Sequence, residues 1–226
     1  MIPWKLLNRA RTPDNKNELT LYQRDTEYSI RVNGQDLMNS KMFGSEMMLA
    51  KLSCPKIADR KNAKALIGGL GMGYTLSEAL RLLDSDADVF LSELVPEVVE
   101  WNKDVLGPLA DHPLKDSRVT VLIEDVAHII NTNTSAFDVI LLDVDNGPNN
   151  LTQEANDELY SMSGLAMTHR ALRPGGVLAV WSSSSDTGFT KKLKGSFFHV
   201  IKKKVRGRTQ KKGPVHTIWI ATKSYQ

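Results

Sequence analysis

The sequence predicts an α/β fold: a doubly wound, mostly parallel sheet with a C-terminal antiparallel hairpin and a small N-terminal β-meander. Three observations predict it. Short apolar runs without alternation recur between Ala65 and Trp181, as strands buried on both faces require. Stretches of helical length separate them, the βαβ signature. A glycine-rich loop, Gly68-Gly69-Leu70-Gly71-Met72-Gly73, directly follows the first run.

Taken in order, residues 12–17 are polar and expected to be mobile. Residues 18–24 and 27–32 alternate, carry β-branched and aromatic side chains, and are bounded by Asp25-Thr26 and Asn33-Gly34. Asn-Gly readily takes positive φ, so this is a meander of two or three strands. A helix is expected over 45–52, with Ser45 as its cap and Met48, Leu49 and Leu52 on one face. Strands follow at 65–67, 89–91, 119–123 and 139–142, with helices at 74–83, 95–105 and from Asp125. A long helix over 153–171 ends at Arg173-Pro174-Gly175-Gly176, before a strand at 177–181. Residues 197–205 and 215–222 pair as the terminal hairpin. The expected division is a meander at 1–43 and one α/β domain at 44–226.

Composition narrows the class. Of 226 residues, 41% are hydrophobic, enough for a sizeable core. Apolar runs such as Val177 to Trp181 are far too short to span a bilayer, so no membrane partner is expected. The start Met1-Ile-Pro-Trp-Lys lacks the features of a secretory signal, and the single Cys54 excludes an intramolecular disulfide. A reducing cytoplasm is the expected location. The histidines are scattered, so no metal site is expected. Charge is lopsided: residues 187–226 hold 11 Lys/Arg and no Asp/Glu, leaving 18 basic against 26 acidic residues elsewhere. Lys202, Lys203, Lys204, Arg206, Arg208, Lys211 and Lys212 form either a solvated face or a site for an anion, nucleic acid included. The stretch lacks the interleaved aromatic residues that single-strand binding uses.

In a doubly wound sheet, ligands bind beyond the carboxyl ends of the strands. Glycines in the first loop let the backbone approach a ligand that a Cβ would exclude. The spacing is G-x-G-x-G over Gly69, Gly71 and Gly73, not that of dinucleotide binders. Glu93, ending the second strand, can accept both hydrogen bonds of a ribose diol, or can be a solvated carboxylate at a helix start. After the third strand, Glu124-Asp125 offers Asp125 as a helix cap that could also accept from an adenine amine. The fourth strand leads into Asp143-Val144-Asp145-Asn146-Gly147-Pro148, either a plain turn or a pair of carboxylates for general-base work. Such a carboxylate also favours a sulfonium ligand.

The chain resembles the spermidine synthases, built on the Rossmann-like class I methyltransferase fold. The residues that carry the resemblance are Ile67 to Gly73, Glu93 through Pro96 to Val99, Asp143 through Gly147-Pro148 to Leu151, and Gly175-Gly176-Val177-Leu178, over roughly residues 18–222. The resemblance implies an adenosyl-sulfonium donor, S-adenosylmethionine or its decarboxylated form, cradled at Gly68, Gly69, Gly71 and Gly73. It implies that Glu93 holds the ribose, that Glu124 and Asp125 border the adenine, and that Asp143, with Asp145, serves as base. It implies a homodimer through the meander. Gly71 stands where the family places an Asp that grips the donor's aminopropyl amine, Asn146 replaces a second acid, and Met42-Phe43-Gly44-Ser45-Glu46 replaces a tyrosine and acid cluster. These departures favour methyl transfer from S-adenosylmethionine to an unknown small molecule, for which the basic hairpin makes an anion a candidate. The alternatives are aminopropyl transfer from the decarboxylated donor and a non-catalytic or nucleic-acid-binding role.

Overall fold

The computed structural model describes residues 2–144, 158–196, 198–208 and 213–225. Two sheets carry the architecture. The first is antiparallel, in the order β1-β2-β3-β4, from β1 (Lys5–Arg11), β2 (Glu18–Arg24), β3 (Glu27–Val32) and β4 (Gln35–Asn39). Its turns follow from sequence: Asn33 and Gly34 both take positive φ, at 50° and 81°, as a tight hairpin demands. The meander thus has four strands rather than two or three. Residues 12–17 form a tied turn between β1 and β2, with Thr12 N–H donating to Asn17 O at 3.0 Å and Asn15 N–H to Thr12 O at 2.8 Å.

The second sheet has seven strands in the order β10-β11-β9-β8-β5-β6-β7. Its parallel part is β5 (Lys64–Gly68), β6 (Asp88–Glu93), β7 (Val119–Ile123), β8 (Phe137–Leu142) and β9 (Leu172–Ser182). The hairpin of β10 (Phe198–Arg206) and β11 (Val215–Lys223) adds antiparallel to β9. Strand β9 spans Leu172–Ser182 directly after the helix that ends at Ala171, but its pairing with β8 passes from Phe137↔Leu172 to Val139↔Val177, so the expected break at Arg173-Pro174-Gly175-Gly176 is an irregularity within the strand, with Gly175 at φ +70°.

Helices α1 (Gly44–Ser53), α2 (Tyr74–Leu82), α3 (Pro96–Lys103), α4 (Val126–Thr132), α5 (Met162–Ala171) and α6 (Thr187–Gly195) cover the sheet. The long helix expected over 153–171 is interrupted: Ser161 caps α5 by accepting from Gly164 N–H, so a new helix begins there. Residues 153–157 lie outside the described residues. Ser45 is not the cap of α1. That position belongs to Phe43, without a side-chain cap bond, and the Ser45 hydroxyl points elsewhere.

The pleat of the central strands sorts their side chains into two cores. Ile67, Leu141 and Ala179 face a core shared with α1, α2 and the meander residues Leu19, Leu21 and Ile30. Leu66, Ile140 and Leu178 face the other, with α4 to α6 and the buried Trp219. Burying each such side chain is worth about 1.5–3 kcal/mol, which is why unalternating runs settle in the middle of the sheet. One charge is buried in β8: Asp138 bonds Arg173 Nη1 at 2.8 Å and Lys64 N–H at 2.8 Å, and pairs with Arg60. At the outer edge, β10 carries exposed Lys202, Lys203, Lys204 and Arg206, charges that discourage another chain from adding to an open strand. Lys211 and Lys212 lie outside the described residues. No described helix is long and apolar enough to cross a membrane.

Candidate active site

Strand β5 is flanked by β6 on one side and β8 on the other, so the connections leave it in opposite directions and open a crevice beyond its end. The backbone ties the crevice rim together: Gly69 N–H donates to Ser92 O at 2.9 Å, and Asp143 N–H donates to Gly68 O at 3.0 Å. A cavity occupies this crevice and extends under the meander, where Ile30, Leu37 and Met38 line it.

Gly69 and Gly71 line the cavity, whereas Gly68 and Gly73 do not. A Cβ at Gly69 (φ +88°) would lie 2.5 Å from Asp143 O, so only glycine lets the loop run against the end of β8. Gly68 is instead a packing position, where a Cβ would press on Val126 and Leu142, and Gly73 (φ +82°) is the N-cap of α2. At Gly71 (φ +53°) a Cβ would lie 2.8 Å from Met38 Sδ and 2.9 Å from its Cε. Met38 therefore fills the space from which an acid at this loop position would project.

Glu93 is buried at the end of β6, with Oε2 accepting from Leu70 N–H at 3.0 Å and Oε1 from Val95 N–H at 2.9 Å. Two backbone bonds fix the carboxylate at the cavity wall. Asp125 caps α4 by accepting from Ala127 N–H at 2.8 Å and also lines the cavity, so both of its expected roles fit one placement. Glu124 lines it too; its carbonyl accepts from Ser92 Oγ at 2.5 Å, while its carboxylate lies 3.3 Å from His128 Nε2. Asp145 lies outside the described residues, as do Asn146, Gly147, Pro148 and Leu151. Among the described residues, no cluster of His, Cys, Asp or Glu could hold a metal ion.

The residues that sequence reasoning missed sit around Asp143. Helix α1 brings Glu46 to the cavity, buried and close enough for the two carboxyls to repel. Burial first, and the Asp143 charge second, push the Glu46 carboxyl up to about 8, against the Ser45 hydroxyl that donates to Oε2 at 2.6 Å. Burial pushes Asp143 up to about 6, opposed by the Thr75 hydroxyl, which donates to its Oδ2 at 2.7 Å. Tyr74 is raised to about 12 by burial and by Glu46, and its ring stacks on Phe43 with centroids 4.4 Å apart. Trp181 completes this end, its buried indole N–H without a partner among the described residues. Of the Met42–Glu46 stretch that stands in place of the family's tyrosine and acid cluster, Glu46 thus brings one acid to the cavity. An acid in the first turn of an otherwise apolar run, Met47-Met48-Leu49, was the signal for it.

Residues 42–207 match the family described as spermine/spermidine synthase domain. The chain belongs to that family. A polyamine aminopropyltransferase of Prochlorococcus marinus is 32% identical over 126 residues, 54% of this chain and 41% of the relative. A polyamine aminopropyltransferase 2 of Pseudomonas aeruginosa is 34% identical over 119 residues, 51% of this chain and 32% of the relative. The matched stretch thus spans less than half the length of these relatives. In fold, the chain is similar to a spermidine synthase of Thermotoga maritima, with TM-score 0.74, 18% identity, and coverage of 98% of this chain and 73% of that one. A probable spermidine synthase from Corynebacterium glutamicum superposes with TM-score 0.66 at 17% identity, over 96% of this chain and 79% of that one. These neighbours share the class I methyltransferase-like fold that the sequence predicts. The relatives are named for aminopropyl transfer, the alternative of the sequence analysis, and not for methyl transfer, its first reading.

Proposed function

We propose that this spermidine synthase family member transfers an aminopropyl group from decarboxylated S-adenosylmethionine to an amine. The observation that carries the reading is the charge of the cavity. Glu46, Glu93, Glu124, Asp125 and Asp143 line it, and no Lys, Arg or His does so among the described residues. A donor that keeps its carboxylate would face acids with no cation to pair it, at a cost of several kcal/mol for an unpaired buried charge. The decarboxylated donor carries a sulfonium and an ammonium and no anion, so the same wall attracts it. An amine acceptor fits for the same reason, in place of the anionic acceptor that the basic hairpin suggests.

The donor supplies an electrophilic carbon beside its sulfonium and leaves as methylthioadenosine. The chain's own residues do the rest. Glu93 holds the ribose, Asp125 meets the adenine edge, and Gly69 lets the loop backbone close on the ligand. Glu46 and Asp143 receive the acceptor: together they attract its ammonium and take the proton that must leave before nitrogen can attack. Carboxyls raised toward neutrality suit that work, because a base poised near the working pH both accepts and releases the proton. Alignment of nitrogen with the reacting carbon supplies the remainder of the rate.

Methyl transfer stays as the second reading because of Gly71, whose missing acid removes one expected grip on the donor's amine. One assay separates the two. The full chain is incubated with each donor and a panel of mono-, di- and polyamines, and the nucleoside product is identified by mass. Methylthioadenosine formed from the decarboxylated donor, dependent on an amine, supports aminopropyl transfer. S-adenosylhomocysteine formed from S-adenosylmethionine overturns it in favour of methyl transfer, and neither product removes both.

A further inference from the structure

Ser45 is fully buried in the first turn of α1, yet its hydroxyl is not spent on the helix. It donates to Glu46 Oε2 at 2.6 Å and lies 2.8 Å from Nδ1 of His216 on β11. The contact joins residues far apart in sequence and is held from both sides. Gly44 N–H donates to Gly207 O at 2.8 Å, clamping the start of α1 to the turn end of the terminal hairpin, just past β10. The half-buried imidazole lies edge-on to Trp181, centroids 4.8 Å apart at 69°, and Trp181 lines the cavity. The result is one file of hydrogen-bonding atoms from the cavity carboxyl to a ring that is not fully enclosed.

We infer that Ser45 and His216 form a proton path that carries the acceptor's proton from Glu46 out of the cavity. The inference rests on the aminopropyl-transfer reading for its source of protons. A hydroxyl has one hydrogen, so the file has only two consistent directions. With Glu46 ionised, His216 Nδ1–H donates to Ser45 Oγ, and Ser45 O–H donates to Glu46. With Glu46 protonated, its O–H donates to Ser45, and Ser45 O–H donates to a bare Nδ1, leaving the hydrogen on Nε2. Passing one proton along the file converts the second arrangement into the first. The Glu46 proton moves to Ser45, the Ser45 proton moves to Nδ1, and the Nε2 proton leaves to water. No bond to carbon changes and no electron is transferred.

Ser45 and His216 are positioning residues, since neither need touch the reacting atoms. The titratable groups facing Glu46 are Asp143 beyond β8, Tyr74 from α2 and His216 itself from β11. Desolvation lowers the His216 pKa, which keeps the ring neutral and able to exist as either tautomer.

The test is the tautomer of His216, read from imidazole 15N shifts of the full chain across pH 6 to 9.5, with the signals assigned by their loss in His216→Gln. The proposal expects Nε2–H at low pH and Nδ1–H at high pH, with the change centred on the Glu46 titration and abolished in Glu46→Gln. A single tautomer throughout, or a change that persists in Glu46→Gln, overturns it. This readout needs no turnover, so it stands or falls apart from the proposed reaction. Where the chain turns over, Ser45→Ala is expected to lower kcat about tenfold with the donor's KM unchanged, and Ser45→Thr to restore it. Full activity in Ser45→Ala overturns the path, and so does a loss that Ser45→Thr leaves in place.

Discussion

Met38 on β4 occupies the space in front of Gly71, so closely that a Cβ there would lie 2.8 Å from its sulfur. The meander and the donor loop are therefore in contact here, and an acid placed at Gly71 has to displace the end of the Met38 side chain. Gly71→Asp adds a side chain at φ +53°, which Asp tolerates at a cost of about 1 kcal/mol, and drives it into Met38. The single variant is expected to melt a few degrees lower with donor affinity unimproved. Met38→Ala with Gly71→Asp is expected to recover part of the stability and to bind decarboxylated S-adenosylmethionine at least tenfold tighter than Met38→Ala alone. Calorimetric titration and thermal melts check both. Equal affinity in the two would remove Gly71 from the donor's amine.

Glu93, the residue proposed to hold the ribose, is also bonded to the backbone, which changes what its removal should do. From sequence it is either a ribose ligand or a solvated carboxylate at a helix start, and on both readings Glu93→Ala would spare stability. In the structure it also satisfies Leu70 N–H and Val95 N–H in a buried place. Orphaning buried donors costs about 1–3 kcal/mol each. Glu93→Ala is expected to lose donor binding and also to lower the melting temperature by several degrees. Glu93→Gln, which keeps one acceptor oxygen, should lie between in stability. Donor affinity unchanged in either variant would sink the ribose assignment.

The sheet and the crevice were legible because their signals are local. Unalternating runs, a glycine loop, Glu93 at a strand end and Asp125 before a helix each declare themselves within a few residues. What stayed hidden depends on packing between distant segments. Glu46 meets Asp143 only because α1 lies against the sheet beside α2, and no spacing rule reports that. Ser45 reads as a cap because Ser before an apolar run commonly is one, yet His216, brought by the terminal hairpin, competes for its hydroxyl. Strand β1, Lys5-Leu-Leu-Asn-Arg-Ala-Arg11, was missed because it does not alternate cleanly and carries a register shift between Leu6 and Asn8. Pro174-Gly175-Gly176, by contrast, punctuates the chain as its composition suggests: the register of β9 against β8 jumps from Leu172 to Val177 across it.

Burial of the two carboxyls sets the pH dependence of stability. Both pKa values are raised on folding, Glu46 from 4.5 to about 8 and Asp143 from 3.8 to about 6. The folded protein therefore binds more protons than the unfolded chain between these limits, and stability falls as pH rises through them. As far as these two groups are concerned, the ligand-free protein should be most stable at or below about pH 4, and lose stability progressively up to about pH 8. Glu46→Gln should flatten the upper part of that decline. Melting curves from pH 5 to 9 in wild type and variant decide it, and an unchanged slope would remove Glu46 as its source.

Thr75 offers the sharpest probe of Asp143 as a base, because it tunes the carboxyl without replacing it. Its hydroxyl donates to Asp143 Oδ2 at 2.7 Å and holds the pKa below where burial alone would place it. Thr75→Val keeps the shape and removes the donor, so the Asp143 pKa should rise further. If ionised Asp143 takes the acceptor's proton, the acid limb of the pH–kcat profile should move to higher pH, with activity restored once the pH is raised. Thr75→Ser, which keeps the hydroxyl, should leave the limb where it is. Asp143→Asn should keep donor binding and lose turnover at every pH, since no shift of pH restores an amide as a base. A Thr75→Val profile that loses height without moving along the pH axis would mean that Asp143 orients the acceptor and takes no proton from it.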